Sequence, residues 1–289
     1  MTCDTSFTAL AQPLATTGES PLWDAERGGL WWIDIQAQRL LFTTPDGTTT
    51  ATPTPGQPGF VAHAASGRLV VGLEYGLFAH DPASGAWEQL SDTEADRPTL
   101  RLNDGKADRH GRLWFGSMDM SGTGQANGRL YRRDADGSVH VMREGIRVPN
   151  GIVPLPDDRL LFTDSPTKAL QICAIDPPSG ALSDWQTVLT TPQAFHTDGA
   201  VLDAEGHIWA AMIGAGEVWR FTVAGEILAK LACPVTRPTM PALGGGLLWL
   251  TNQRRFLNAE ALAQQPLAGA LLARAEAVLP GPEWRVAGA

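Results

Sequence analysis

Four residues in this sequence share a chemistry and a spacing. Glu19, Asn103, Asn150 and Asp198 each carry a side-chain oxygen, and each is followed within two residues by Gly or Ser, as in Glu19-Ser20, Asn103-Asp104-Gly105, Asn150-Gly151 and Asp198-Gly199. Each stands ten or eleven residues before an apolar run, anchored respectively at Leu30, Leu113, Leu160 and Ile208. Two carboxylates and two carboxamides form an all-oxygen donor set, which suits a hard divalent cation such as Ca²⁺, Mg²⁺ or Mn²⁺. Zinc more often recruits His or Cys. A single Asn-Gly or Asp-Gly pair ordinarily marks a hairpin turn. Here the pairs open a repeating unit and other turn residues lie further along it, so the shared position reads as a shared site. In the third unit Asp104-Gly105 resembles the other pairs equally well, which leaves the register there open by one residue.

The elements that position these residues come from a repeat. Gly29-Leu30-Trp31-Trp32-Ile33, Gly67-Arg68-Leu69-Val70-Val71, Gly111-Arg112-Leu113-Trp114-Phe115, Asp158-Arg159-Leu160-Leu161-Phe162, Gly206-His207-Ile208-Trp209-Ala210 and Gly246-Leu247-Leu248-Trp249-Leu250 are six versions of one pattern. The anchors at 30, 69, 113, 160, 208 and 248 are 39, 44, 47, 48 and 40 residues apart, the period of propeller blades. A second apolar strand follows each of the first five, as in Leu40-Leu41-Phe42 and Arg129-Leu130-Tyr131, and ends in a Gly-containing turn such as Pro45-Asp46-Gly47. The expected fold is all-β: a single domain over residues 1–289, a six-bladed β-propeller with four-stranded antiparallel blades. Two β-sandwich domains are the rival, but they do not predict six similar units. The sixth copy degrades after Leu271, and the N-terminal segment is expected to complete its sheet. The one helix expected is Asn258–Gln265. In the second and sixth copies the region of the shared position holds Phe60 and Pro238-Thr239. Propellers bind ligands at one mouth of the axial channel, where equivalent residues of successive blades converge.

Composition removes other classes. A net charge of −9 and a pI near 5.1 argue against nucleic acid as partner. Cys3, Cys173 and Cys233 form neither a disulfide framework nor a CxxC pair. The first residues lack a basic, then apolar, secretory pattern, and no stretch nears the ~20 apolar residues of a membrane helix. The expectation is a soluble cytoplasmic protein of open oligomeric state, with no membrane partner. There is no GxSxG elbow, phosphate loop or HExxH, and Gly214-Ala215-Gly216 lacks the third glycine of a dinucleotide site. His196, two residues from Asp198, reads first as a surface or packing residue. The stretch 116–128, GSMDMSGTGQANG, reads either as an exposed loop or as a cover over the channel mouth.

With these residues in view, the sequence resembles the senescence marker protein/gluconolactonase/regucalcin family. The resemblance rests on Gly18-Glu19-Ser20-Pro21, Arg101-Leu102-Asn103-Asp104-Gly105-Lys106, Asn150-Gly151, Asp198-Gly199, Asp203–Trp209 and Gln265–Ala270, across about residues 15 to 275. It implies one divalent metal held by Glu19, Asn150 and Asp198, calcium before zinc, manganese, magnesium or iron. It implies substrate contacts from Arg101 and Asn103, and hydrolysis of a sugar lactone to the aldonic acid. In that reading the metal polarises the lactone carbonyl and activates water. Asp198 takes the proton of the attacking water, although a metal-bound carboxylate is a weak base. Many vertebrate members place a substrate-holding Glu after the third anchor strand. This sequence reads Met118-Asp119-Met120-Ser121 there, so either Asp119 replaces it with a shorter reach or the contact is lost. Two rivals stand beside the lactonase: a calcium-dependent propeller esterase or organophosphatase, and a metal-binding propeller without catalysis.

Overall fold

The computed structural model describes residues 6–11 and 14–289, so Cys3 lies outside the described residues. Its strands form six four-stranded antiparallel sheets, the six-bladed β-propeller expected from the repeat. Five sheets are built from four consecutive strands each, which excludes the sandwich reading. They are β2–β5 (Gly18–Asp24, Gly29–Asp34, Arg39–Thr43, Thr49–Pro53), β6–β9 (Pro58–His63, Leu69–Leu73, Gly76–His80, Trp87–Ser91) and β10–β13 (Leu100–Ala107, Leu113–Asp119, Gly128–Arg133, Val139–Ile146). They continue with β14–β17 (Pro149–Pro154, Arg159–Asp164, Ala169–Ile175, Leu182–Thr190) and β18–β21 (His196–Leu202, Ile208–Ile213, Glu217–Phe221, Ile227–Ala232). The sixth sheet takes β22–β24 (Pro238–Gly244, Leu247–Asn252, Leu271–Ala275) and is completed by β1 (Thr8–Ala11), which pairs Thr8 with Ala273. Between β23 and β24 lies the expected helix, α1 (Ala259–Gln264), with Asn258 Oδ1 capping Ala261 N at 2.9 Å.

The chain divides into two compact units of three sheets each. One comprises residues 1–54 and 192–282, the other residues 55–191 and 283–289. In both, the first and second strands of a blade are mostly buried on both faces while the fourth is largely exposed, so the apolar runs of the sequence are continuous instead of alternating. All six anchors, Leu30, Leu69, Leu113, Leu160, Ile208 and Leu248, are fully buried.

The repeating tryptophans have a polar reason as well. In three blades an Asp just before the first hairpin turn accepts the turn's backbone N–H groups and the indole N–H of the next strand. Trp31 donates to Asp24 at 3.0 Å, Trp114 to Asp108 at 2.8 Å and Trp209 to Asp203 at 2.9 Å. Arg27, Arg112 and Arg220 pair with the same three carboxylates. Buried carboxylates are thus satisfied on every side, as burial requires. For Asp203, burial alone would raise the carboxyl; the His207 N–H, the Trp209 indole and Arg220 outweigh it and hold it below the usual carboxylate range.

Candidate active site

Strand pairing fixes the register that the sequence left open. The anchors Leu30, Leu113, Leu160 and Ile208 pair with Trp23, Ala107, Pro154 and Leu202 on the first strand of their blades. Glu19, Asn103, Asn150 and Asp198 each stand four residues before those partners. The same count gives Gly59 in the second blade and Thr239 in the sixth, through the pairs His63–Leu69 and Leu243–Leu248. The second blade therefore presents Gly59 at this station and not Phe60. In the third blade Asn103 occupies it, and Asp104 follows.

The station coincides with an irregularity in every first strand. The ladder shifts between Glu19 and Leu22, Leu102 and Gly105, Asn150 and Val153, and Thr197 and Ala200, where one extra residue is accommodated. Such bulges re-aim side chains next to functional sites. In two of them the residue after the station is left-handed, Ser20 at φ 48° and Gly151 at φ 55°, a region that glycine enters without strain; Gly105 and Gly199 instead sit where an added Cβ would strike Phe60 and Met240.

In the unit holding β6–β17, the station residues are wired blade to blade. Asn103 Nδ2 donates to Pro149 O at 2.8 Å and to Asn150 Oδ1 at 2.9 Å. A backbone carbonyl can only accept, so Pro149 fixes which end of the Asn103 amide is nitrogen. That in turn fixes Asn150 Oδ1 toward Asn103, with Asn150 Nδ2 donating to Ser165 Oγ at 2.9 Å. Both hydrogens of the Asn103 amide are engaged, so any further hydrogen bond of this amide must be accepted by its oxygen. Asp104, also buried, accepts Ile152 N at 3.0 Å. Burial pushes the Asp104 carboxyl above the usual range, against the pull of the Ile152 N–H and Lys106. Buried Arg101 donates through Nη1 to Leu102 O at 2.9 Å. Gly59 approaches that same carbonyl so closely that a Cβ there would lie 2.1 Å from it.

In the other unit, Glu19 is half-buried and its Oε2 accepts Ser20 N at 2.9 Å, while Asp198 is buried inside its bulge. Strand β22 joins the strands that carry them: Thr239 Oγ1 donates to Gly18 O at 2.6 Å, and Met240 packs against Gly199. The same rule operates in both units, since Asn103, Gly59 and Thr239 each meet the carbonyl just before the next blade's station residue. Burial lowers the Arg237 guanidinium, and the charge of Asp198 acts against that shift.

Asp119 closes β11 and braces the loop that follows. Its carboxylate accepts Ser121 N at 2.7 Å and the Asn127 side-chain amide, contacts that hold it below the usual carboxylate range. Residues Gly116–Asp119 belong to β11, so the exposed loop is 120–127, tethered by Arg97 Nη2 to Asn127 O at 2.7 Å. Sequence reasoning missed Gly59, Ser165 and the contact role of Thr239. A count from the hairpin partner finds Gly59 and Thr239; Ser165 carries no signal in the sequence.

Residues 17–252 match the family model described as the SMP-30/gluconolactonase/LRE-like region. The chain belongs to this family. It is 31% identical over 267 residues to 6-deoxy-6-sulfogluconolactonase of Pseudomonas putida, covering 89% of this chain and 90% of that one. It is 32% identical over 271 residues to L-arabinolactonase of Azospirillum brasilense, covering 91% and 89%. Among solved structures, the calcium-binding protein regucalcin of Agrobacterium tumefaciens superposes with a TM-score of 0.89 at 28% identity over 96% of each chain. Membership accounts for the blade architecture. Among the described residues no helix is long and apolar enough to cross a membrane.

Proposed function

We propose that this family member is a hydrolase of a sugar lactone, converting an aldonolactone to its aldonic acid. Glu19, Asn150 and Asp198 would hold one divalent cation, calcium first, and Arg101, Asn103 and Asp119 would contact substrate. The observation that carries this reading is the shared station: four blades place a carboxylate or carboxamide, and a fifth the Thr239 hydroxyl, at one register position beside a bulge. The lactonase names of the relatives support the substrate class, and the regucalcin likeness supports calcium.

The donor set fits the cation. It is all oxygen, two of its members are carboxylates, and Asn150 has its oxygen pinned by Asn103 instead of free to rotate. When bound, a divalent cation supplies Lewis-acid stabilisation of negative charge on a carbonyl oxygen and makes water more acidic. The chain's own residues do the rest. Asn103 accepts a hydrogen bond from a ring hydroxyl, because its amide hydrogens are already committed. Arg101, anchored through Nη1 at Leu102 O, would bring a planar, permanently charged donor group to substrate. An Asp198 carboxylate oxygen takes the proton as water adds to the lactone carbon, and returns it to the ring oxygen as the ester bond opens. Asp119 would contact substrate while bracing loop 120–127 through Ser121 and Asn127. The free thiols of Cys173 and Cys233 are consistent with a cytoplasmic location, which we include in the proposal.

The test is pH-stat hydrolysis of xylono-, arabino-, galactono- and gluconolactone after metal stripping and re-addition, with spontaneous opening subtracted. Turnover that depends on added cation supports the proposal; absence of turnover with every cation and lactone rejects it.

A further inference from the structure

Asn103 and Asp104 are consecutive, both sit in the bulge between Leu102 and Gly105, and both reach the first strand of the next blade, at different residues. Asn103 takes Pro149 and Asn150; Asp104 accepts Ile152 N at 3.0 Å. The segment they grip is itself a bulge, between Asn150 and Val153, with Gly151 at φ 55°. An irregular, left-handed turn has no ladder partner to hold its N–H groups, so an external acceptor must satisfy them. Asp104 supplies that acceptor from a buried position.

We propose that Asp104 is a positioning residue for the cation site. By accepting the Ile152 N–H inside the bulge that follows Asn150 it fixes the backbone from which Asn150 projects, and with Asn103 it sets the direction of Asn150 Oδ1. Asp104 touches neither cation nor substrate; it acts through Asn150. This rests on the reading of Asn150 as a cation ligand. Groups that orient a metal ligand in this way typically change metal affinity about 10- to 100-fold when removed.

The chemistry predicts which replacements are tolerated. Asparagine keeps an oxygen at the position of the accepting Asp104 oxygen, so Asp104→Asn preserves the hold on Ile152 N. Alanine has no acceptor, and serine has one that falls a bond short. The decisive experiment is calorimetric titration of Ca²⁺, and in parallel Mn²⁺, into metal-stripped full-length protein, with thermal unfolding of the metal-free variants as a check of folding. Asp104→Ala and Asp104→Ser are expected to bind at least about tenfold more weakly, and Asp104→Asn within about threefold of wild type. Should Asp104→Ala not fold, Asp104→Ser carries the comparison. Wild-type affinity in a folded Asp104→Ala or Asp104→Ser, alongside a loss in Asn150→Ala, overturns the positioning role while leaving Asn150 as ligand. A loss in Asp104→Asn as large as in Asp104→Ala also overturns it, because the effect then belongs to the charge and not to the accepted Ile152 N–H. Unchanged affinity in Asn150→Ala rejects the ligand reading, and the positioning role with it.

Discussion

Asn103 and Asn150 are joined side chain to side chain, Nδ2 of the first donating to Oδ1 of the second at 2.9 Å. Because the other hydrogen of Asn103 is held by Pro149 O, this bond has one polarity only. Asn103→Asp would set a carboxylate against two acceptor oxygens. It is expected to lower kcat/KM for an aldonolactone by about 10- to 100-fold, and by more than a simple truncation to Ala. Steady-state kinetics of the two variants decides it; equal losses would mean that the polarity is unimportant.

Gly59 occupies the station where other blades carry an oxygen, and its place is set by crowding. An added Cβ would meet Leu102 O at 2.1 Å and Asn103 N at 3.0 Å. Gly59→Ala is therefore expected to displace the strand bearing Arg101 and Asn103. We anticipate a loss of about 2 kcal/mol in urea unfolding together with reduced turnover. A variant with undiminished activity would show that this strand can move without consequence.

Asp203 carries a pH dependence of known sign. Its carboxyl is held low in the folded protein, so it binds fewer protons folded than unfolded. Its contribution is present above the unfolded value near 4 and disappears as pH falls through the folded value. Asp203→Ala, which takes the acceptor from the Trp209 indole and from the Glu205 and His207 N–H groups and leaves Arg220 paired with Glu205, should cost about 3 kcal/mol at pH 7. The gap to wild type should narrow below about pH 4. A gap that stays constant with pH would contradict the electrostatic origin.

Burial pushes the thiols of Cys173 and Cys233 up to about 12. Thiolate is the reactive form, so neither should be alkylated appreciably by iodoacetamide at pH 8 in the native state, and both should react in urea. Peptide mapping by mass spectrometry reads this directly, and rapid native labelling of either residue would refute it.

Much of this was legible in the sequence because a propeller writes its structure periodically. The anchors Leu30 through Leu248 announced the blades, and the oxygens at Glu19, Asn103, Asn150 and Asp198 stood out by repetition. What was illegible lay where repetition breaks. Gly59 bears no side chain, so Phe60 beside it drew the eye, and only the pairing of His63 with Leu69 restored the register. The Asp104 contact with Ile152 joins residues 48 apart through a bulge, and bulges leave little trace in apolar patterning. Asp119 was readable as a carboxylate near the end of β11, but its engagement with Ser121 and Asn127 depends on the folded path of loop 120–127.

The proposed lactone hydrolysis is the work of the station residues. Its most direct test is the initial rate of aldonolactone opening at a pH-stat, cation supplied and spontaneous opening subtracted, for wild type, Glu19→Ala and Asp198→Ala. Wild type is expected to turn over and both variants to fall by at least about 100-fold, each still cooperatively folded. Full lactonase activity in both variants would contradict it.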